Sequence, residues 1–228
     1  MADVFTDLQT ETEALADLAE RHGYFSGAPG GGAPGPDLTG HFARLTSTAR
    51  LVRLSVEHPA AFGVTPQISY DSLDEAIVSW LIEQRKATAL LASAPPAPEL
   101  PWSDGPLRPS VLAAAVLTEL FACGQDIADA VGARLRRTDA IGHVAYYGIR
   151  TRDRVYHRHQ ETPPDQFRFE LRAPSGELWQ FGPEDARDRI TGPAEDFCLL
   201  VTGRRFAEDL SLAFTGGHTA EWLELLER

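Results

Sequence analysis

From Val4 to Arg21 the apolar residues Phe5, Leu8, Leu15 and Leu18 recur at helical spacing with acids on the remaining surface, which predicts an amphipathic helix. A second stripe, Phe42, Leu45, Leu51, Val52 and Val56, predicts a helix capped by Asp37 or Thr39 and ended by Pro59 and Pro66. Ser72-Leu-Asp-Glu75 reads as a capping box, in which the serine oxygen accepts from the third helical N–H. It opens a third helix through Ile77, Trp80, Leu81 and Leu90 to about Ser93. From Ser110 to Val131 the chain is apolar nearly all round, as in a helix covered by others on most sides. A fifth helix is expected from Thr138 to Tyr156, carrying Ile141, Val144, Ala145 and Ile149. Two Gly- and Pro-rich stretches, Gly27 to Pro36 and Pro95 to Pro109, read as loops.

After Pro163-Pro164 the period falls to two. Phe167, Phe169 and Leu171 alternate with Arg168, Glu170 and Arg172, and Ser175-Gly176 turns the chain into Leu178-Trp179-Gln180-Phe181, predicting a β-hairpin. Pro193 begins a short helix through Phe197, Leu200 and Val201, Leu210 to Phe214 reads as a strand, and Thr219 caps a terminal helix. The expected fold class is α+β: a four-helix bundle with the pocket over residues 1–160, then a small α/β domain over 161–228.

Composition narrows what this frame does. With 228 residues and 43% hydrophobic content, a core forms without disulfides, and the two cysteines, Cys123 and Cys198, sit inside apolar helical patterns. A reducing, cytoplasmic setting is expected, with no targeting segment and no apolar stretch near the roughly 20 residues that span a bilayer. A formal charge of -12 repels phosphate backbones, so nucleic acid is excluded as a partner. A small-molecule substrate is expected instead, and an edge strand of the second domain offers a route to a homodimer.

Familiar catalytic motifs are missing. Gly30-Gly-Gly-Ala-Pro-Gly35 satisfies GxGxxG by letter, but no strand precedes it and Pro34 and Pro36 disrupt it. Neither a GxSxG elbow nor a GK[ST] phosphate loop occurs. His157 and His159 are expected on opposite sides of a solvated, extended linker, and His22 and His58 at helix ends complement exposed carbonyls.

The informative cluster lies on the apolar fourth helix. Glu119 and Cys123 are one turn apart on one face, with Asp126 a turn further along the same stripe. A carboxylate inside a bundle is unfavourable unless paired, hydrogen-bonded or metal-bound. Bundle cores also house metal sites built from facing helices, and His41 projects beside Phe42 from the second helix. A structural glutamate beside a small core cysteine is the other reading of the same residues.

The run Leu117-Thr-Glu119-Leu-Phe-Ala-Cys123-Gly-Gln-Asp126-Ile-Ala-Asp129, with Leu100-Pro-Trp102, Arg172-Ala-Pro-Ser-Gly-Glu-Leu-Trp179 and Ile190-Thr-Gly-Pro-Ala-Glu-Asp-Phe-Cys-Leu-Leu-Val201, resembles an actinobacterial branch of the DinB-like superfamily. That branch is related to mycothiol-dependent maleylpyruvate isomerases. The resemblance implies a four-helix bundle and a small α/β domain. It also implies a divalent metal held by a helix-two histidine and a Glu-xxx-His pair, used to activate a thiol. Carried over, the ligands are His41 and Glu119, with Cys123 where the family has histidine. Thiolate ligates zinc well, so His41, Glu119 and Cys123 form one candidate site, with zinc or another divalent metal and mycothiol as cofactors.

The preferred expectation is a repurposed pocket using no metal or cofactor. Glu119 in apolar surroundings would have its pKa raised and exchange protons with His41, driving isomerisation, elimination or cyclisation of a small molecule, such as acetal or ether ring closure in natural-product biosynthesis. Cys123, Asp126, Trp102, Tyr146 (with its neighbour Tyr147) and Arg150 are candidates to contact the substrate. A metal-dependent mycothiol transferase or isomerase is the second expectation, and a non-catalytic small-molecule-binding protein the third.

Overall fold

The computed structural model describes residues 3–23, 38–63, 67–97, 99–103 and 105–227. The glycine-rich stretch from Gly27 to Pro36, and with it the GxGxxG match, Asp37 and Pro66, lies outside the described residues. The chain divides into two compact units, one ending at Leu135 and the other running from Arg136 onward.

The first unit is built from α1 (Val4–Gly23), α2 (Thr39–Glu57), α3 (Leu73–Ser93) and α4 (Pro109–Val131), the four-helix bundle expected from the periodicity. Thr39 is the first residue of α2 and not its cap; Leu38 takes that place without a side-chain hydrogen bond. Ser72 does cap α3, accepting from Glu75 N at 3.2 Å, while Glu75 reaches back to Asp71 N and not to the Ser72 amide. The α2–α3 seam is closed by Phe42 against Trp80, ring centroids 5.3 Å apart and both fully buried. Between α3 and α4, Leu100 and Leu107 exchange backbone hydrogen bonds of 2.7 and 2.8 Å, pinning the proline-rich loop so that Trp102 lies against Phe62.

α4 corrects one expectation. By length and composition it is apolar enough to cross a bilayer, yet 78% of that apolar window is buried within the fold. It also carries Glu119 and Asp126, so its hydrophobicity is that of a core helix.

The second unit holds α5 (Ile141–Arg150), α6 (Asp153–Arg158), β1 (Arg168–Arg172), β2 (Leu178–Phe181), β3 (Arg189–Pro193), α7 (Ala194–Val201), β4 (Ala213–Thr215) and α8 (Gly217–Glu227). The sheet order is β2-β1-β3-β4, with β1 and β3 parallel at the centre and the outer pairs antiparallel. The chain is therefore α+β, a helical bundle followed by a small mixed sheet with helices.

The boundary between units falls earlier than residue 160, because α5 packs on α7 of the second unit. Gly148 permits the approach: a Cβ there would stand 2.8 Å from a Val201 methyl. The single helix expected from Thr138 to Tyr156 is instead two. Thr151 turns its hydroxyl onto the Tyr147 and Gly148 carbonyls, and buried Arg152 donates to the carbonyls of Pro164 and Asp165. His157 consequently lies in a helix and not in an extended linker. His159 Nε2 stands 3.1 Å from the Leu225 carbonyl. β3 was not expected as a strand, and α8 starts before Thr219. That threonine lies buried in the first turn, donating to the carbonyls of Thr215 and Gly216, while Asp188 accepts from His218 N at 3.0 Å.

Candidate functional site

Glu119, Cys123 and Asp126 share the face of α4 that the one-turn spacing requires. Their setting differs from the expectation of an apolar enclosure. The Glu119 side chain is 41% exposed, and its Oε2 accepts from Arg44 Nη2 at 3.0 Å. Cys123 is fully buried one turn further on, and Asp126 is half-buried.

Arg44 is the residue that sequence reasoning missed. Burial would lower its pKa, but the field of Cys123, then of Glu119 and Asp126, together with the Glu119 hydrogen bond, outweighs burial and holds the guanidinium above its ordinary value. One permanent cation thus faces the whole Glu119–Cys123–Asp126 stripe. Its local sequence carries no signal: Arg44 lies between the core residues Phe42 and Leu45 on α2, and its acid partner is 75 residues away.

His41 stands in the first turn of α2, one turn before Arg44, and is half-buried. Among the described residues its imidazole makes no hydrogen bond or ion pair with Glu119. Trp102 stays in the loop before α4, its ring centroid 5.9 Å from that of Phe62. Tyr146 and Arg150 are on α5 in the other unit, both exposed, and Arg150 borders a cavity of about 240 Å³ with Phe167 and Phe169. A larger cavity of about 400 Å³ lies in the bundle between α1 and α3, and none of the candidate site residues named from the sequence lines it.

The metal ligand set implied by the DinB-like resemblance does not fit these positions. Among the described residues no three His, Cys, Asp or Glu side chains stand where they could hold an ion together. The carboxylate that would ligate it already carries a guanidinium at 3.0 Å, and a second cation there would be repelled. Cys198, the other thiol, is fully buried in α7 with its pKa pushed well up by burial, which marks a structural and unreactive cysteine. What remains is a charge-assisted donor–acceptor pair at half-exposed depth, a carboxylate base beside a cation able to hold a developing negative charge.

The family described as "Wyosine base formation" matches residues 163–212, from the approach to β1 to the residue before β4. The chain is 35% identical over 182 residues to "Uncharacterized protein Rv0036c" of Mycobacterium tuberculosis strain H37Rv, an alignment covering 78% of this chain and 71% of that one. Its counterpart in strain CDC 1551, "Uncharacterized protein MT0041", aligns identically. Among solved structures, the mycothiol-dependent maleylpyruvate isomerase superposes over 92% of this chain and 91% of its own, with a TM-score of 0.49 at 13% identity. A point mutant of that enzyme gives a TM-score of 0.48 at 12% identity.

Proposed function

The chain belongs to the family of the Mycobacterium tuberculosis protein Rv0036c, and from that premise we propose that it is an enzyme transforming a small molecule by metal-independent proton transfer at the Arg44–Glu119 pair. The observation that carries this reading is the 3.0 Å contact between Arg44 Nη2 and Glu119 Oε2, with Cys123 and Asp126 in the same electrostatic field. An arginine fork has five donors, and the carboxylate uses one of them here. The others can receive a carbonyl oxygen of the substrate.

In the proposed chemistry the Glu119 carboxylate takes a proton from the carbon next to that carbonyl. The C–H electron pair moves into the carbonyl, giving an enolate whose oxygen is held by Arg44. Return of the proton to a different carbon completes an isomerisation; expulsion of a leaving group by the same electron pair completes an elimination. For ring closure the base takes a hydroxyl proton as that oxygen attacks the carbonyl carbon, whose π pair moves onto the oxygen held by Arg44 and is then protonated. His41, one turn from Arg44 on α2, is proposed to donate a second proton where the acceptor carbon or leaving group lies beyond Glu119, and Glu119 then gives its proton to solvent. Cys123 and Asp126 shape and polarise the floor, and no step requires a metal or mycothiol.

The test begins with the compound that accumulates when the gene is deleted, supplied to purified protein. Turnover is expected to persist in EDTA and to fall about 10²–10⁴-fold in Glu119→Gln, the range for loss of a positioned acid or base. Unchanged turnover in Glu119→Gln, or activity abolished by chelator and restored by zinc, would overturn the proposal.

A further inference from the structure

The cavity between α1 and α3 lies apart from the Arg44–Glu119 pair. It is lined by Phe5, Ala89 and Ala92 on its apolar side and by Thr12, Gln84 and Thr88 on its polar side, and it opens to solvent. At about 400 Å³ it falls within the ordinary range of small-molecule sites, roughly 300–1,000 Å³.

The polar side is built and not merely wetted. Gln84 is 1% exposed, Thr12 2% and Thr88 9%. Gln84 Nε2 donates to Thr88 Oγ1 at 3.3 Å, but Gln84 Oε1 is buried with no hydrogen-bond partner. A buried amide oxygen left unpaired is uncommon and unfavourable in native proteins. Thr88 completes the pattern. Thr12, Thr46 and Thr118 in the same bundle send their hydroxyl protons to the carbonyl one turn back, whereas the Thr88 hydroxyl accepts from Gln84 and donates to no described group. An open acceptor and an open donor therefore stand side by side on one turn of α3.

We propose that this cavity binds a small neutral carboxamide or lactam. The ligand N–H donates to Gln84 Oε1, its carbonyl accepts from Thr88 Oγ1, and its apolar body lies along Phe5, Ala89 and Ala92. The charged residues on the lining, Asp3 and Glu13 against Arg85, leave it net negative, which disfavours carboxylate ligands. Glu13 is already engaged, with Gln9 Nε2 at 3.4 Å and Arg85 at 4.0 Å, and Asp3 accepts from the amide and hydroxyl of Thr6. The site is independent of the Arg44–Glu119 chemistry, being lined by different helices.

The probes are benzamide, N,N-dimethylbenzamide and benzoate, titrated into the full chain and followed by ¹H–¹⁵N chemical shifts and isothermal calorimetry. Benzamide is expected to shift the amides of α1 and α3 around Thr12, Gln84 and Thr88 and to saturate. The dimethyl compound, which lacks the N–H, and the anion are each expected to bind at least tenfold more weakly. Gln84→Leu is expected to weaken benzamide at least tenfold while leaving the dimethyl compound unchanged. If Gln84→Leu does not fold, Thr88→Val tests the carbonyl half of the contact and is expected to weaken benzamide and its dimethyl analogue alike. Equal binding of benzamide and its dimethyl analogue, shifts confined to other helices, or no saturation by benzamide in the unmodified protein would each overturn the proposal.

Discussion

Two polar clusters are built into the same four helices, and the fold treats them in opposite ways. Between α2 and α4 the groups are charged and stand partly in water, the Arg44 and Glu119 side chains being 49% and 41% exposed. Between α1 and α3 the buried members are neutral, Gln84 and Thr12 being almost fully buried, while the charged Glu13 and Arg85 stand in water. Removing a full charge from water is far more unfavourable than removing an amide or hydroxyl, and a buried ion pair does not reliably recover that penalty. A bundle can therefore sink a glutamine to its interior and must leave an arginine–glutamate pair near its rim. The rim pair keeps solvent access, while the interior group keeps directionality, which suits recognition.

The largest effect should come from the seam that supports both clusters. Trp80 is fully buried on α3 against Phe42 of α2, and Trp80→Ala is expected to lower unfolding free energy by about 3–5 kcal/mol in urea denaturation. A loss below about 1 kcal/mol would mean that the two helix pairs do not share a core.

The contrast itself is sharpened by a pair of substitutions. Gln84→Leu removes an unpaired buried oxygen and should leave stability unchanged or raise it by roughly 1 kcal/mol. Arg44→Met should lower stability by less than about 1 kcal/mol, because the pair is half-exposed, and the difference should shrink in 1 M salt. Reversal of that order would break the distinction between a buried neutral cluster and a wet charged one.

The smallest effect belongs to a pair whose histidine lies at the surface. His218 Nδ1 lies 3.0 Å from Asp188 Oδ2 at the start of α8. The hydrogen bond to Asp188 is the largest cause; desolvation opposes it, and the fields of Asp188, Glu221 and Asp165 add to it, so that the His218 pKa is raised. A raised folded-state value means that the stabilisation is fully present below the unfolded histidine value of about 6.5 and is lost as pH rises through the folded value. An NMR titration should therefore place His218 above that reference in the unmodified chain and return it there in Asp188→Asn; equal titration in both would remove the pair.

The helical bundle was largely legible from periodicity because its reason lies within each element. α4 reads as central since almost every turn is apolar, and α1 to α3 each show one stripe. The second unit was less legible. β3 is five residues containing Gly192 and Pro193, with no alternation to mark it, and it is a strand because β1 and β4 pair with it on either side. Gly192 is needed there, as a Cβ would press on the Ser211 carbonyl, a contact no local pattern reveals. The break between α5 and α6 likewise depends on Arg152 reaching carbonyls of Pro164 and Asp165.

The candidate site divides along the same line. Glu119, Cys123 and Asp126 were readable as one stripe because helical geometry alone puts residues three and four apart on one face. Arg44 was not, since its partner lies 75 residues away and an arginine on α2 resembles any other surface cation until the helices are packed. By itself the sequence determined which residues face inward along each helix, and hence a four-helix bundle with an acidic stripe on its central member. Only the tertiary structure decided that the stripe is answered by a guanidinium and that Gln84 is left with an open oxygen. Hydrophobic periodicity records how a residue meets solvent, whereas pairing of charges and amides depends on distances between separate elements, which packing alone sets.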